Sequence, residues 1–319
     1  MPRLLITGAS GYLGMHLLDA LTQLTPPPHI TASFGGLESF VSDYGTVAAD
    51  CVQTDLGDSA AVAALMKAAQ PDVVVHLGAI SSPAVCEQSP ERCLAVNCPM
   101  ALLEALPPTA AVIFLSTDQV YDGLSPPYVE GSATAPVNAY GRSKLAFEQA
   151  LAARLPDRSV SLRSSLILGG RTRAHCRKAT FLQFCDERLR LDEPTTFFRD
   201  EIRSAVSVED IVAVLLFFIG GAVRTSPGVY NMGGPQPLSR VQLARAVAEA
   251  RGLPAERIAD VARASLPVNP GAARSPPDIS MDSSRLRAVS GIEMRTLDQM
   301  LATAFTEPEA ATCAARARE

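Results

Sequence analysis

Residues 7–14, which read Thr7-Gly8-Ala9-Ser10-Gly11-Tyr12-Leu13-Gly14, decide the fold class of this chain. They follow the apolar run 4–6 and precede residues 13–24, whose apolar side chains have helical spacing. This order predicts a strand, a tight glycine turn and a helix whose N-terminus binds a pyrophosphate. A structural left-handed turn would carry similar glycines, but the flanking strand and helix favour dinucleotide binding through Gly8, Gly11 and Gly14, because a Cβ there would block the close approach of the anion.

The sequence from residue 4 to residue 120 alternates short β-rich runs with helical patterns, among them helices predicted over 59–70 and 94–106. Such alternation is typical of βαβ units and a parallel sheet. We therefore predict an α/β protein with a Rossmann-type doubly wound parallel sheet and a smaller C-terminal substrate lobe. The predicted domains are a dinucleotide-binding domain over 1–165 and a substrate-binding lobe over 166–319, with segments around 203–220 returning to the first domain.

Composition excludes several function classes. The 319 residues carry a net charge of −5 with a pI near 5.5, which argues against a nucleic-acid binder. The longest apolar stretch, 211–223, is shorter than the roughly 20 residues that span a bilayer, so we predict a buried helix and no membrane association. Because the first predicted strand begins at Arg3, we expect no signal peptide and a cytoplasmic protein.

The cysteines and histidines indicate no metal site. Seven cysteines form an odd set, and the spacing of Cys86, Cys93 and Cys98 fits no zinc pattern, so we expect reduced thiols. His76 ends an apolar strand and is predicted to be a core or cofactor-facing histidine. We therefore expect no metal ion.

The choice between NADP and NAD stays open. About 20 residues after the glycine turn, an acid would bind the ribose diol of NAD or an arginine would bind the phosphate of NADP. Residues 31–36 contain neither, and no Lys or Arg occurs between Arg3 and Lys67. Ser33 could donate a hydrogen bond to either group.

A second motif lies far downstream, where residues 140–144 read Tyr-Gly-Arg-Ser-Lys. Tyr140 and Lys144 are four residues apart, which places both on one helix face, with Asn138 as the predicted N-cap. A neighbouring ammonium lowers the pKa of a phenol, so the pair suits proton transfer. A surface Tyr and Lys on an amphipathic helix is the alternative; Thr117, at the end of a predicted strand, and the glycine turn favour proton transfer.

These segments together resemble the extended short-chain dehydrogenase/reductase superfamily over nearly the whole chain. Residues 116–123, Ser-Thr-Asp-Gln-Val-Tyr-Asp-Gly, and 136–145, Pro-Val-Asn-Ala-Tyr-Gly-Arg-Ser-Lys-Leu, are similar to its dTDP-4-dehydrorhamnose reductase branch. Regulatory β subunits of methionine adenosyltransferase belong to the same branch and carry a similar segment.

The resemblance implies a role for each site residue. Thr117 would hydrogen-bond the substrate oxygen, Tyr140 would be the general acid/base, and Lys144 would support Tyr140 and the nicotinamide ribose. Arg203 would bind a substrate diphosphate, although a surface salt bridge is the ordinary role of such a residue; the basic loop 171–178 is predicted either to bind a diphosphate or to be a solvated loop. The substrate residues predicted are Ser81, Thr117 and Arg203, and the cofactor residues predicted are Gly8, Ser10, Gly11, Tyr12, Leu13, Gly14, Ser33, Asp55, Leu56, Leu77, Gly78, Ala79, Tyr140 and Lys144.

Two functions follow from the resemblance. The first is an NAD(P)H-dependent reductase that acts on a keto group of a small-molecule substrate, a nucleotide-linked sugar. A homodimer is a possible assembly for it. The second is an NADP-binding regulatory subunit whose partner would be a methionine adenosyltransferase.

Overall fold

A seven-stranded parallel sheet forms the centre of the computed structural model, which describes residues 2–36, 38–45, 47–172, 179–266 and 272–306. The described strands are β1 Arg3–Thr7, β2 His29–Phe34, β3 Asp50–Gln53, β4 Val73–His76, β5 Ala111–Thr117, β6 Ser159–Ser164, β7 Ile167–Leu168, β8 Thr195–Phe198, β9 Ile202–Arg203, β10 Val206–Ser207, β11 Gly228–Met232, β12 Leu238–Ser239 and β13 Ile258–Val261.

Helices cover both faces of the sheet. The described α-helices are α1 Tyr12–Leu21, α2 Glu38–Tyr44, α3 Ser59–Ala69, α4 Pro83–Gln88, α5 Pro90–Asn97, α6 Met100–Glu104, α7 Ala139–Arg154, α8 Phe181–Leu189, α9 Val208–Phe217, α10 Val223–Thr225, α11 Arg240–Arg251, α12 Ser284–Ser290 and α13 Leu297–Ala304. Short 3-10 helices lie at Asp118–Val120, Ala255–Arg257 and Arg263–Ser265, and a π-helix at Phe218–Ala222 follows α9.

The sheet has the order β11-β6-β5-β4-β1-β2-β3, and all of its pairs are parallel. The chain runs outward from β1 to β3 on one side and from β4 to β11 on the other. The order therefore reverses between β1 and β4, and the carboxyl ends of these two strands flank the crevice in which open α/β sheets bind ligands. The predicted Rossmann-type doubly wound fold is confirmed.

The apolar strand runs are explained by burial on both faces. Leu4 and Ile6 pack into the core that α1 and α9 share, whereas Leu5 packs into the core under α3, α6 and α7. Successive side chains of a strand point to opposite faces, so a strand covered on both sides needs an unbroken apolar run.

A separate apolar cluster lies in the second half of the chain, where α8, α11 and α13 pack together with Phe197. Three two-stranded pairs, β7 with β10, β8 with β13 and β9 with β12, accompany it within the described residues. Two second-half elements lie at the main sheet: β11 pairs with β6, and α9 packs in the core that also contains α1. The division at residue 165 stays a prediction.

The local helix signals mostly agree with the structure. Asp58 caps α3 by accepting from Ala60 N at 2.9 Å, and Gly252 ends α11 with φ at +61°. The single helix predicted over 94–106 is wrong, because Pro99 interrupts it and separates α5 from α6. None of the helices in the described ranges is long and apolar enough to cross a membrane.

Candidate active site

The glycine turn between β1 and α1 is shaped by backbone contacts. Gly8 has φ at +70°, and a Cβ there would lie 2.6 Å from the backbone of Gly78. A Cβ on Gly14 would lie 2.6 Å from the carbonyl oxygens of Gly8 and Ala9. Gly11 occupies the N-cap of α1 and offers no side-chain acceptor to the first turn. The N–H groups of that turn are therefore available to an anion.

A cavity of about 690 Å³ extends from this turn. It brings together all the residues predicted to bind the cofactor, and Ser81 as well, whereas Thr117 and Arg203 are not among its lining residues. Sequence reasoning did not find several other lining residues; some adjoin predicted ones in sequence, and the others come from segments with no recognised motif. These include Phe34, Gly35, Thr54, Ile80, Arg92, Val96, Leu115 and Ile167.

Arg92 is the lining residue with the clearest electrostatic effect. Its Nη2 lies 2.7 Å from Oδ1 and 2.7 Å from Oδ2 of Asp55. These hydrogen bonds, with one from the Gly57 backbone, lower the pKa of the Asp55 carboxyl. Among the described residues that line the cavity, the cations are Arg92 and Lys144. Arg92 belongs to α5, whereas the sequence signal for NADP is a basic residue just after β2, so that signal could not indicate Arg92.

Tyr12 joins the glycine turn to a distant segment. Its hydroxyl donates to the carbonyl oxygen of Gly170 at 2.7 Å, and burial raises the pKa of the phenol. Ser33 lies buried on β2 beside the same turn, since Ala9 N donates to its carbonyl oxygen at 2.9 Å. The turn is thus held from both sides.

The start of α7 fixes Tyr140. Asn138 caps the helix by accepting from Gly141 N at 2.8 Å, while its amide donates to Gln119 Oε1 at 2.8 Å and to the carbonyl of Arg274 at 2.9 Å. A Cβ on Gly141 would lie 2.2 Å from the carbonyl oxygen of Gln119. The helix therefore sits directly on the 3-10 turn that follows Thr117.

Burial raises the pKa of Tyr140 to about 12, although a hydrogen bond with Thr117 acts to lower it and the nearby Asp118 adds to the increase. The expectation that Lys144 lowers this pKa is not met here, because burial is the largest effect. Tyr140 is accordingly protonated at neutral pH. Thr117 Oγ1 also accepts from Gln119 N at 3.2 Å, which holds its hydroxyl at the end of β5.

Lys144 is almost completely buried, with 1% of the residue exposed. Its Nζ lies 4.2 Å from the centroid of the Phe114 ring. Burial lowers the pKa of this ammonium to about 7, and the charge of Glu148 opposes that decrease. The lysine thus titrates near neutral pH.

His76 lies in the core as predicted, with its Nδ1 2.6 Å from Thr7 Oγ1 and its ring stacked on Phe114. Burial, with the nearby Lys144 charge, lowers its pKa to about 3, so the imidazole is neutral. In the described part of the chain, no group of three or more His, Cys, Asp or Glu residues could hold a metal ion.

Arg203 is buried, with 4% exposed, and its guanidinium is engaged by protein oxygens. Nη1 donates to the carbonyls of Ile202 at 2.7 Å and Pro277 at 3.1 Å, and Nη2 to Ser275 Oγ at 3.1 Å and the Pro276 carbonyl at 3.0 Å. A surface salt bridge does not describe this residue. Its predicted diphosphate role stays a prediction, and its visible role is to hold segment 275–277. Of the basic loop, residues 173–178 lie outside the described ranges, and Arg171 pairs with Glu187.

The expectation of reduced thiols is wrong for one pair, since Cys86 and Cys93 form a disulfide with their Cα atoms 5.1 Å apart. Helices α4 and α5 meet at Ser89, and this corner brings the two cysteines together. Together with Ala139 they form a small buried cluster against which Ile80 and Tyr140 pack. Asn97, one turn after Cys93, donates to Ser143 Oγ at 2.9 Å and accepts from Ile80 N at 2.7 Å, which connects α5 both to α7 and to the cavity wall.

Comparison with known proteins adds the family context. A family model described as the RmlD substrate binding domain matches residues 2–309. dTDP-4-dehydrorhamnose reductase of Mycolicibacterium smegmatis is 30% identical over 261 residues, which is 80% of this chain and 71% of that protein. Methionine adenosyltransferase 2 subunit beta of Xenopus laevis is 30% identical over 253 residues, which is 76% of this chain and 72% of that protein.

The fold is also that of a solved enzyme. The crystal structure of dTDP-4-dehydrorhamnose reductase from Bacillus anthracis, in complex with NADP, matches with a TM-score of 0.77 at 21% identity, covering 94% of this chain and 97% of that one. The two sequence relatives are equally similar in identity, so the site residues must decide between their functions.

Proposed function

Because the chain belongs to the RmlD substrate binding domain family, we propose that it is an NAD(P)H-dependent reductase of a keto group, on a nucleotide-linked sugar as in dTDP-4-dehydrorhamnose reductase. The observation that carries the proposal is the continuity of one cavity, which begins at the glycine turn and includes Tyr140 and Lys144. A reductase needs both a cofactor site at the turn and a proton donor at the other end of the cavity, and this cavity has both.

The residues present fit a dinucleotide. The turn has bare backbone where a Cβ would collide, and the first N–H groups of α1 carry no side-chain cap. Gly8, Gly11 and Gly14 would hold the pyrophosphate, Asp55 and Leu56 would lie at the adenine, and Lys144 would hold the nicotinamide ribose. When bound, the reduced nicotinamide supplies a hydride.

The chain itself supplies the proton. Tyr140, with a pKa of about 12, keeps its phenolic proton at neutral pH, and reduction of a ketone requires a donor in that form. Its hydroxyl gives the proton to the substrate oxygen, and Thr117, hydrogen-bonded to Tyr140, steadies the charge that develops on that oxygen. Lys144 lies on the same helix face one turn later and, when charged, favours the tyrosinate left behind.

The test is turnover by the purified chain. The protein would be mixed with NADPH or NADH and a panel of 4-keto sugar nucleotides, including dTDP-4-dehydrorhamnose, and cofactor oxidation followed by absorbance. Turnover that disappears in Tyr140→Phe supports the reductase, and Tyr230→Phe serves as the control, because its hydroxyl bonds to Ser226 outside the cavity. A stable, cofactor-binding protein without turnover on the panel contradicts it.

The alternative is an NADP-binding subunit of a methionine adenosyltransferase, favoured by the 30% identity to a beta subunit of that enzyme. Co-purification with the host's methionine adenosyltransferase and no turnover would support it. Native mass spectrometry of the same preparation reads the mass of a retained dinucleotide or sugar nucleotide, and it also tests the predicted homodimer.

A further inference from the structure

Helix α7 carries Tyr140, Lys144 and Glu148 on one face at successive spacings of four residues; Lys144 and Glu148 are buried and Tyr140 is partly buried. The proposed function uses the first two. Glu148 is 4% exposed and does not line the cavity, so it touches neither the cofactor site nor the reacting atoms. A buried carboxylate is costly unless it is paired, and its position on this face calls for an explanation.

Glu148 is fixed by two neighbouring strands. Arg163 on β6 donates from Nη2 to Oε2 at 2.7 Å and from Nε to both oxygens, at 3.2 and 3.1 Å. Ser116 on β5 donates its hydroxyl to Oε1. Arg163 in turn donates to the Tyr121 hydroxyl at 2.9 Å and the Glu130 carbonyl at 3.3 Å. The carboxylate therefore has a single orientation set from outside α7.

Among the residues that the structure describes, Glu148 is the anion whose charge acts on Lys144. The Phe114 ring of β5 faces the ammonium, and His76 of β4 is a neutral imidazole. On α7 itself, Tyr140 is a protonated phenol, and Glu148 is the carboxylate. Asp118 acts on Tyr140 rather than on the lysine. The next charged side chain is Arg163, which forms an ion pair with Glu148.

We propose that Glu148 is a positioning residue for the reaction, a fixed counter-charge that keeps the buried Lys144 ammonium protonated beside Tyr140. This inference rests on the proposed reductase function. Glu148 transfers no proton itself, and its effect reaches the substrate only through Lys144 and then Tyr140. The buried pair with Arg163 serves to hold the carboxylate ionised and in place.

The direction of the pH effect follows from the charges. Burial lowers the pKa of Lys144 to about 7 while Glu148 acts to raise it. Removing the carboxylate lets burial act unopposed, so the ammonium loses its proton at a lower pH. Turnover that needs the charged lysine then falls at a lower pH in the variant than in the wild type.

The experiment observes Lys144 directly. The sequence contains only Lys67, Lys144 and Lys178, so protein made with ¹³C-lysine gives three ε-carbon signals, and Lys144→Met assigns one of them. We expect the Lys144 signal to titrate near pH 7 in the wild type. In Glu148→Gln its midpoint should fall by about one pH unit, and the alkaline limb of the turnover profile should fall with it.

The matched control is Asp210→Asn, which removes another buried carboxylate; Asp210 lies on α9 and is bonded to Arg295, which precedes α13. Both variants remove a buried carboxylate that is paired with an arginine, but only Glu148→Gln should move the Lys144 midpoint. An unchanged midpoint in Glu148→Gln, or an equal shift in Asp210→Asn, overturns the proposal. Should Glu148→Gln fail to fold, Glu148→Gln/Arg163→Met removes both charges of the pair; a midpoint below the wild type supports the proposal and an unchanged one overturns it.

The titration needs no substrate, so the two hypotheses fail separately. Absence of turnover with a normal Lys144 shift removes the reductase function and leaves the electrostatic coupling as measured. Turnover with identical alkaline limbs in wild type and Glu148→Gln removes the role of Glu148 and leaves the reductase function.

Discussion

The two ends of the cavity differ in which atoms form the wall: backbone atoms at one end and ionisable side chains at the other. At the glycine turn the wall is backbone, and steric fit matters: any Cβ on Gly8 or Gly14 would collide with neighbouring backbone atoms. At the α7 end the wall includes the partly buried Tyr140 and the buried Lys144, and proton affinity matters: their pKa values are about 12 and about 7 because of desolvation and their neighbours. A change of shape should therefore damage the first end, and a change of proton affinity the second.

Gly8→Val should have the largest effect. The residue has φ at +70° and its Cβ would meet the Gly78 backbone at 2.6 Å, so the turn cannot keep its form. We expect no measurable NADPH or NADH binding by calorimetry, at any pH. Gly35→Ala is the control, because Gly35 also lines the cavity and a Cβ there meets nothing within 4 Å. Wild-type affinity in Gly8→Val would refute the steric account of this end.

Tyr140→Phe should act on the other end alone. It keeps the ring and removes the proton, so turnover should fall by about 10²- to 10⁴-fold, the usual contribution of a positioned acid. Dinucleotide affinity should stay near the wild-type value. Steady-state kinetics and calorimetry on the same preparation separate the two quantities, and equal turnover in both proteins would exclude Tyr140 as the donor.

Arg203→Ala tests a charged residue whose role in the structure is to hold a backbone segment in place. Losing its bonds to segment 275–277 should lower the free energy of unfolding by about 2–4 kcal/mol and raise the apparent substrate KM. Arg203→Lys should recover only part of the loss, since one ammonium cannot reach the same acceptors. The control is Arg142→Ala, which removes an exposed arginine paired with Glu87. Thermal unfolding of the Arg203 variants is compared with that of this control. A KM increase without loss of stability would favour direct contact with a diphosphate.

Arg92→Ala should give the smallest effect, since its pair with Asp55 is half exposed and such pairs contribute about 0.2–1 kcal/mol. We expect a loss of cofactor affinity of about 1.4- to 5-fold, the change that this range of free energy corresponds to. The loss should be larger for NADPH, whose extra phosphate a cation favours, and should shrink in high salt. Equal losses for the two dinucleotides would mean that Arg92 does not choose between them.

The parts of the site that could be predicted from the sequence are those formed by local, contiguous patterns. The glycine turn could be predicted because its strand, its glycines and its helix are contiguous, and the Tyr140–Lys144 pair because helix spacing is local. Arg92 could not be found, since it reaches the cavity from a helix with no motif of its own. The pKa of Tyr140 was predicted in the wrong direction because the Tyr–Lys spacing indicates a neighbouring charge but not the depth of burial. Arg203 was found as a residue, but three of its four oxygen partners belong to a segment more than 70 residues away, which no local pattern indicates.

The placement of β11 next to β6 has a consequence for anyone who divides this chain. A fragment that ends at residue 165 would contain β6 but not β11, whose residues 228–232 pair with residues 160–164 of β6. It would also lack α9, so the apolar face of α1 would be open to water. A bare strand edge next to an uncovered apolar face is a template for intermolecular pairing. The N-terminal half should therefore aggregate when expressed alone, and co-expression with residues 166–319 should restore its solubility.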